Sequence, residues 1–218
     1  LYRTRTLGLR YERTDAPLHG YTDSDWGVRH STSGYVFVLN QAAVHWGSKK
    51  QKSVALSSCE AEIMAASEAS KEAVHLSVLG EELGAHDGSA IDLFCDNQSA
   101  IALAYNPEHH QRSKHIQRRH FFVRELVEKM QLNVPFVQSC DNVADFFTKP
   151  LNARVFFPMR DILMNVPLSE RWASKKQDSI ALSTTEAEIM ASSEGAKEAV
   201  HLSVLGEELG AHDGSAID

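Results

Sequence analysis

A long internal repeat is the feature of this sequence that most limits how the chain can fold. Residues 172–218 repeat residues 46–92, with 39 of 47 paired positions identical. The second copy stops before any counterpart of the apolar segment LFCD that follows the first copy. A chain of 218 residues has room for one sizeable core. We therefore expect one domain followed by a truncated duplicate.

Charge, cysteine content and hydropathy narrow the class of protein. No apolar run approaches the roughly 18 residues of a membrane helix, and the N-terminal residues lack a signal-peptide pattern. We expect an intracellular protein, cytoplasmic or nuclear, with no membrane partner. The net charge of -7 is unusual for a protein that only coats nucleic acid. The three cysteines form no C-x-x-C pair, which disfavours a cysteine zinc site.

Hydrophobic periodicity and turn residues predict an α/β domain. Residues 32–40 and 42–48 resemble a β-hairpin around Asn40-Gln41, preceded by a strand at HGYTDSD. Ser57 and Glu60 have the spacing of a capping box, which predicts a helix from there to near Gly84. The later elements are a strand at IDLFCD, helices at SAIALAY and KHIQRRHFFVRELVEKM, a strand at VPFVQ and a short helix at DNVADFFTK.

Glu62 stands out on the first predicted helix. Helical geometry places it at the head of a stripe of small residues that faces the core, whereas Glu60 points to the opposite side. A buried carboxylate needs a partner, because an unpaired buried charge costs several kcal/mol or takes up a proton. That partner is either a metal ion or a Lys or Arg side chain.

Three further carboxylates lie where sites usually assemble. Asp23 is on the first strand, Asp96 ends the strand IDLFC and Asp145 lies in the last short helix. If they converge with Glu62, each charged pair repels by about 4 kcal/mol at about 4 Å, and divalent cations would relieve the repulsion. Mg²⁺ or Mn²⁺ in pairs supports phosphodiester hydrolysis. Periodicity does not choose between Asp23 and Asp25, which share a strand face.

Seven short motifs follow one another along the chain: YTDSDW, STSGYVF, WGSKKQ, LSSCEAE, CDNQSAIAL, SKHIQRRHFFVRE and DNVADFFTKPL. Together they resemble the ribonuclease H domain of copia-type retrotransposon Pol polyproteins. The resemblance covers about residues 19–165 and implies a ribonuclease H-like fold, a mixed five-stranded sheet with helices on both faces. It also implies that two Mg²⁺ ions serve hydrolysis of the RNA strand of RNA-DNA hybrids. Residues 1–18 look like a remnant of the connection to a reverse transcriptase, a further expected partner domain.

The resemblance assigns roles to individual residues. The catalytic, metal-binding carboxylates fall on Asp23, Glu62, Asp96 and Asp145, with Asp25 and Glu60 as supporting residues. The interval from Trp26 to Ser31 is shorter than in the family, so the first hairpin is expected to differ there.

Contacts with nucleic acid are expected from a segment whose charge opposes that of the whole chain. Residues 107–130 carry six Lys or Arg against three Glu. The candidate contacts are Asn97, Gln98, Arg112, Lys114, His115, Arg118 and Arg119. The alternative for the basic residues is a solvated helix face. Trp26 and Trp46 are expected to pack against the core rather than on bases.

Three alternatives remain open from sequence. One is a retroelement relic that binds nucleic acid, or self-associates through the duplicated segment, without cutting. Another keeps the fold but cuts DNA, because clustered acids do not identify the strand that is cut. In the third, the duplicate exchanges with residues 46–84 and Glu188 takes the place of Glu62.

Overall fold

The computed structural model describes residues 7–27, 30–105 and 114–167, with side chains of the third range described from Arg118 onwards. Residues Leu9–Pro167 form a compact unit. The predicted truncated duplicate at 172–218, with Glu188, and the self-association through it lie outside the described residues.

Five strands form one mixed sheet in the order β3-β2-β1-β4-β5. The strands are β1 (His19–Asp25), β2 (Thr32–Leu39), β3 (Ala42–Lys50), β4 (Ile91–Phe94) and β5 (Leu132–Asn133). Strand β2 is antiparallel to both β1 and β3, whereas β4 is parallel to both β1 and β5. Asn40 and Gln41 have φ values of 52° and 71°, the left-handed conformation that two-residue hairpin turns use. The predicted fold class and hairpin are confirmed.

Helix α1 (Ser58–Glu82) begins at the predicted capping box. Ser57 Oγ accepts the backbone N–H of Glu60 at 3.2 Å, and the Glu60 carboxylate accepts the N–H of Leu56. The helix ends just before Gly84, which has a φ of 67°. Glu60 is as buried as Glu62. The burial of Glu60 was not predicted, and it arises because the Glu60 carboxylate folds back onto the backbone before the helix.

The remaining helices are α2 (Gln98–Tyr105), α3 (Lys114–Glu128) and α4 (Ala153–Leu163). The predicted short helix at DNVADFFTK is a 3₁₀ helix, Val143–Phe147, preceded by a 3₁₀ turn, Ser139–Asp141. Sequence reasoning missed α4, in which Pro158 argues against a helix. Asn152 nevertheless caps α4 by accepting the N–H groups of Arg154 and Val155 at 3.1 and 3.3 Å.

The predicted strand VPFVQ is displaced toward the N-terminus. Strand β5 ends at Asn133, and only an isolated bridge joins Phe136 to Cys95. Pro135 has no N–H to donate, although its carbonyl accepts the N–H of Cys95 at 3.1 Å. The chain thus stays beside the end of β4 without forming a regular ladder.

Hydrophobic clusters cover both faces of the sheet, as the alternation along β2 shows. Phe37 packs in a cluster with Ile63 of α1 and Leu126 of α3. Its neighbours Val36 and Val38 pack in a second cluster with Val143, Phe147 and Leu163, from the 3₁₀ helix and α4. Successive strand residues point to opposite faces, so helical elements lie on both sides. No helix within the described ranges is long and apolar enough to cross a membrane.

Candidate active site

Asp23 lies near the C-terminal end of β1 and is buried, with 3% of its surface exposed. Asp25, two residues further along, is exposed. The structure therefore separates two residues that strand periodicity leaves equivalent. Burial raises the pKa of Asp23 to about 6, while the Thr148 hydroxyl and the Lys149 ammonium act to lower it. Nearby Asp145 raises it further.

Glu62 faces the same strand end from the second turn of α1. Its Oε1 accepts hydrogen bonds from the backbone N–H and hydroxyl of Ser24, at 3.2 and 2.8 Å. Its Oε2 is buried and has no hydrogen-bond partner among the described residues. Burial raises the pKa of Glu62 to about 8, and the charges of Asp23 and Asp96 act in the same direction against the Ser24 hydrogen bonds. Ser24 thus holds Oε1 in place, whereas Oε2 has no hydrogen-bond partner among the described residues.

Asp96 follows β4, which is the parallel neighbour of β1, so both strands end at the same edge of the sheet. Ligand atoms of Glu62, Cys95 and Asp96 lie within 4.8 Å of one another. Burial raises the pKa of the Cys95 thiol far above its usual range, so the sulfur stays protonated. Hard divalent cations prefer oxygen, and the useful ligands of this group are therefore Glu62 and Asp96.

Asp145 reaches the site from the 3₁₀ helix and is 7% exposed. Its Oδ1 lies 2.7 Å from Lys149 Nζ, which lies 3.9 Å from Asp23 Oδ2. The Thr148 hydroxyl donates to Asp23 Oδ2. Burial lowers the pKa of Lys149, but the hydrogen bond to Asp145 and the surrounding carboxylate charges outweigh burial, so the pKa is raised.

Gly34 allows this segment to approach Asp23. Gly34 pairs with Asp23 across β1 and β2. A Cβ atom at Gly34 would lie 2.6 Å from Thr148 Cγ2 and 3.1 Å from the backbone carbon of Phe147. Only a residue without a side chain leaves room for this contact. The absence of a side chain at position 34 therefore helps to position Asp145 and Thr148.

The structure brings the four predicted carboxylates together as two adjacent pairs. Glu62 and Asp96 form one pair, and Asp23 and Asp145, bridged by Lys149, form the other. The pairs interact because the charge on Asp23 raises the pKa of Glu62. Sequence reasoning missed Ser24, Thr148 and Lys149, although the four-residue spacing of Asp145 and Lys149 was a usable signal.

The predicted nucleic-acid contacts are placed only in part. Asn97 adjoins Asp96, and its Oδ1 accepts the N–H of Ala100 at 3.0 Å, which caps α2. Gln98 is exposed, as is Arg118 on α3, where Arg119 is half-buried. Arg112 and the side chains of Lys114 and His115 lie outside what the structure describes. Nucleic-acid contact by these residues stays a prediction.

The two tryptophans behave differently. Trp46 is half-buried and packs against the cluster of Val36 and Val38, as predicted. Trp26 is 55% exposed, and its indole N–H donates to the carbonyl of Ala55 at 3.1 Å. The expectation that Trp26 packs in the core is wrong, since it follows the last residue of β1 and extends past the sheet.

The residues present fit a divalent cation. Glu62 Oε2 is a buried carboxyl oxygen that has no hydrogen-bond partner in the described part of the chain, and Asp96 and Asp23 add negative charge beside it. Such an arrangement is costly unless a proton or a cation compensates it. The ligands are carboxylate oxygens, which suit Mg²⁺ and Mn²⁺.

Comparison with known proteins shows that the chain is similar to part of the Pol polyproteins of transposons. No protein-family model matches it. It is 42% identical over 145 residues to the retrovirus-related Pol polyprotein from transposon TNT 1-94 of Nicotiana tabacum, covering 65% of this chain and 11% of that protein. It is 38% identical over 143 residues to the Pol polyprotein from transposon RE2 of Arabidopsis thaliana, covering 64% of this chain and 10% of that protein.

Ribonuclease H domains are found among the structural neighbours. The crystal structure of LC11-RNase H1 in complex with RNA/DNA hybrid aligns with 12% sequence identity and a TM-score of 0.46, covering 60% of this chain and 93% of that one. The homologues of the chain are retrovirus-related Pol polyproteins from transposons, and the predicted resemblance is confirmed. The chain spans about a tenth of the length of these curated relatives.

Proposed function

We propose that residues 19–165 form a ribonuclease H domain that hydrolyses the RNA strand of RNA-DNA hybrids with divalent cations, two Mg²⁺ ions or Mn²⁺ in their place. The observation that carries the proposal is the Glu62 carboxylate. It is buried beside Asp23 and Asp96, and one of its oxygens lacks a partner within the described ranges. Homology to Pol polyproteins supports a retroelement nuclease.

The residues of the chain prepare the site for this chemistry. Divalent cations held by Asp23, Glu62, Asp96 and Asp145 would supply an activated water and stabilise the leaving oxygen. Ser24 holds Glu62 by two hydrogen bonds, so its free oxygen keeps one orientation. The Thr148 hydroxyl holds Asp23 by one hydrogen bond to its Oδ2. Prior positioning of ligands reduces the reorganisation that the reaction requires.

Substrate binding is proposed to depend on shape and backbone charge. Asn97 and Gln98 adjoin Asp96, and Arg118 and Arg119 lie on α3. Phosphate contacts from such residues position a duplex without reading its sequence. The 2′-hydroxyl distinguishes RNA from DNA and would direct cleavage to the RNA strand. A reverse transcriptase domain is a proposed partner, in keeping with the Pol polyprotein relatives.

Cleavage assays with matched variants test the proposal. Hybrid, duplex DNA and duplex RNA, each labelled on one strand, are incubated with the full chain in Mg²⁺, Mn²⁺ or EDTA. We expect cleavage of the hybrid's RNA strand alone, dependent on divalent cation. We expect Asp96→Asn and Asp145→Asn each to lower the cleavage rate by about 100-fold or more, roughly the effect of losing one catalytic group. The controls Asp92→Asn and Asp141→Asn, which change aspartates four residues upstream of each, retain it.

Other outcomes would replace the proposal. Hybrid binding without turnover in Mg²⁺ or Mn²⁺ would make the chain a nucleic-acid-binding protein, and cleavage of duplex DNA would make it a DNA nuclease. The variant Glu62→Gln tests the repeated segment as well. Complete loss of cleavage in that variant rules out replacement of Glu62 by Glu188.

A further inference from the structure

Lys149 places a positive charge inside the carboxylate site. Its Nζ lies 2.7 Å from Asp145 Oδ1 and 3.9 Å from Asp23 Oδ2. The two carboxylates are almost fully buried, whereas the Lys149 side chain is 37% exposed. The ammonium group forms an ion pair with Asp145 Oδ1, a buried oxygen that has no other hydrogen-bond partner among the described residues. A metal ion would compete with the ammonium group for this oxygen.

We propose that Lys149 is a built-in counter-cation, which holds Asp23 and Asp145 together in the metal-free protein and competes with a divalent cation for their oxygens. This inference rests on the proposed divalent-cation site. A metal ion can bind Asp145 Oδ1 only if the Lys149 ammonium group moves away. Lys149 is in this sense a positioning residue, because it acts through the two aspartates.

The surroundings of Lys149 permit such a displacement. The lysine stem is long and flexible, and its partial exposure gives the ammonium group a route to water. Asp23 keeps another donor after displacement, because the Thr148 hydroxyl remains bonded to its Oδ2. Asp145 is fixed by the 3₁₀ helix that carries it, whose first residues are capped by Asn142. The carboxylates can therefore stay in place while the cation exchanges.

A permanent ion pair is the competing explanation. In that case Lys149 only anchors the chain before Pro150, and it would affect folding stability without affecting metal affinity. The two explanations differ in the sign of one measurable quantity. Removing the charge strengthens metal binding if Lys149 competes, and leaves it unchanged or weakens it if Lys149 is a fixed anchor.

The test compares wild type with Lys149→Met, Lys149→Arg and a matched control, Lys129→Met. Lys129 Nζ lies 2.7 Å from Glu125 Oε1, also four residues away, but both side chains are exposed and remote from the carboxylates in sequence. Mg²⁺ and Mn²⁺ affinities are measured by titration calorimetry on the full chain without nucleic acid. Melting temperatures are measured in EDTA.

We expect Lys149→Met to bind the cations about 5-fold or more tightly, the lower end of typical coupling between two ligands. Its melting temperature in EDTA falls, because the repulsion between Asp23 and Asp145 loses its compensation. Lys149→Arg restores the melting temperature and the weaker affinity, and Lys129→Met matches wild type. Equal or weaker metal binding by Lys149→Met overturns the inference but leaves the proposed function standing. Failure of every chain to bind either cation overturns both.

Discussion

Glu62 Oε1 accepts two hydrogen bonds from Ser24, at 3.2 Å from the backbone N–H and 2.8 Å from the hydroxyl. These bonds tie α1 to the end of β1. They also direct the second oxygen of Glu62 into the site, where the described residues offer it no partner. The relationship between Glu62 and Ser24 therefore turns an ordinary buried carboxylate into a preoriented ligand.

Ser24→Ala removes the hydroxyl that holds Glu62. We expect a loss of about 1 kcal/mol in the free energy of unfolding, the usual contribution of one hydrogen bond. The pKa of Glu62 rises further, since the Ser24 hydrogen bond opposes the effect of burial. Hybrid cleavage then requires a higher pH. Unfolding curves and pH–rate profiles check this, with Ser139→Ala as an exposed control. An unchanged pH–rate profile would argue against a role for Ser24 in orienting Glu62.

The metal-free protein is predicted to lose stability as pH rises. The pKa of Glu62 is raised from 4.5 to about 8, and that of Asp23 from 3.8 to about 6. A raised carboxyl pKa contributes stability that is complete below the unfolded-state value and is lost as pH rises through the folded-state value. Stability in EDTA should therefore fall between pH 4 and 8.

The variant Glu62→Gln distinguishes the contribution of Glu62 to pH-dependent stability from that of Asp23. It should abolish the dependence of stability on pH between 6 and 8 and leave the part below pH 6 that belongs to Asp23. Chemical denaturation in EDTA at several pH values measures both parts. A wild-type protein that gains stability between pH 6 and 8 would contradict the burial of Glu62.

Gly34→Ala tests the close approach beside Asp23. A Cβ at this position meets Thr148 Cγ2 at 2.6 Å, so the segment that carries Asp145 has to move. We expect a loss of about 1–3 kcal/mol in the free energy of unfolding, as for other overpacked sites, and a loss of cleavage. Gly8→Ala is the control, because a Cβ there has nothing within 4 Å. Wild-type activity in Gly34→Ala would show that Asp145 needs no such positioning.

Asn142→Ala tests the link between the 3₁₀ helix and β1. The fully buried Asn142 donates to the carbonyl of Thr22 at 3.0 Å and accepts the N–H of Ala144 at 3.2 Å. Its removal deletes both hydrogen bonds at a buried position, which costs about 1–3 kcal/mol. Denaturant titration should show this loss together with weaker cation binding. The variant Asn133→Ala loses only an exposed bond to Asp92 and should show neither effect.

Local sequence signals predicted the elements that depend on neighbouring residues. The capping box at Ser57 places the start of α1, and Asn40-Gln41 places the hairpin turn. The order of motifs supplied the four carboxylates. Asp23 lies near the end of β1, and Asp96 lies just after β4, the parallel neighbour of β1. Spacing and short-range hydrogen bonds determine the helix start and the hairpin turn, so these two can be read from a single sequence. The four carboxylates were assigned by resemblance to a known family.

Local sequence signals did not predict contacts between residues that are far apart in the chain. The hydrogen bond between Thr148 and Asp23 joins residues 125 apart and depends on the missing side chain of Gly34. Helix α4 forms because Asn152 caps it and tertiary packing outweighs Pro158. Strand β5 stops early, because Pro135 interrupts the ladder while the chain keeps its place beside Cys95. Tertiary packing decided each of these outcomes.

The most direct test of the carboxylate site is a crystal structure of the full chain grown in Mn²⁺, with anomalous diffraction used to locate the metal. We predict anomalous peaks within coordination distance, about 2.0–2.4 Å, of Glu62 Oε2 and of oxygens of Asp23, Asp96 or Asp145. Mn²⁺ found only elsewhere, with Glu62 Oε2 still unligated, would contradict the account.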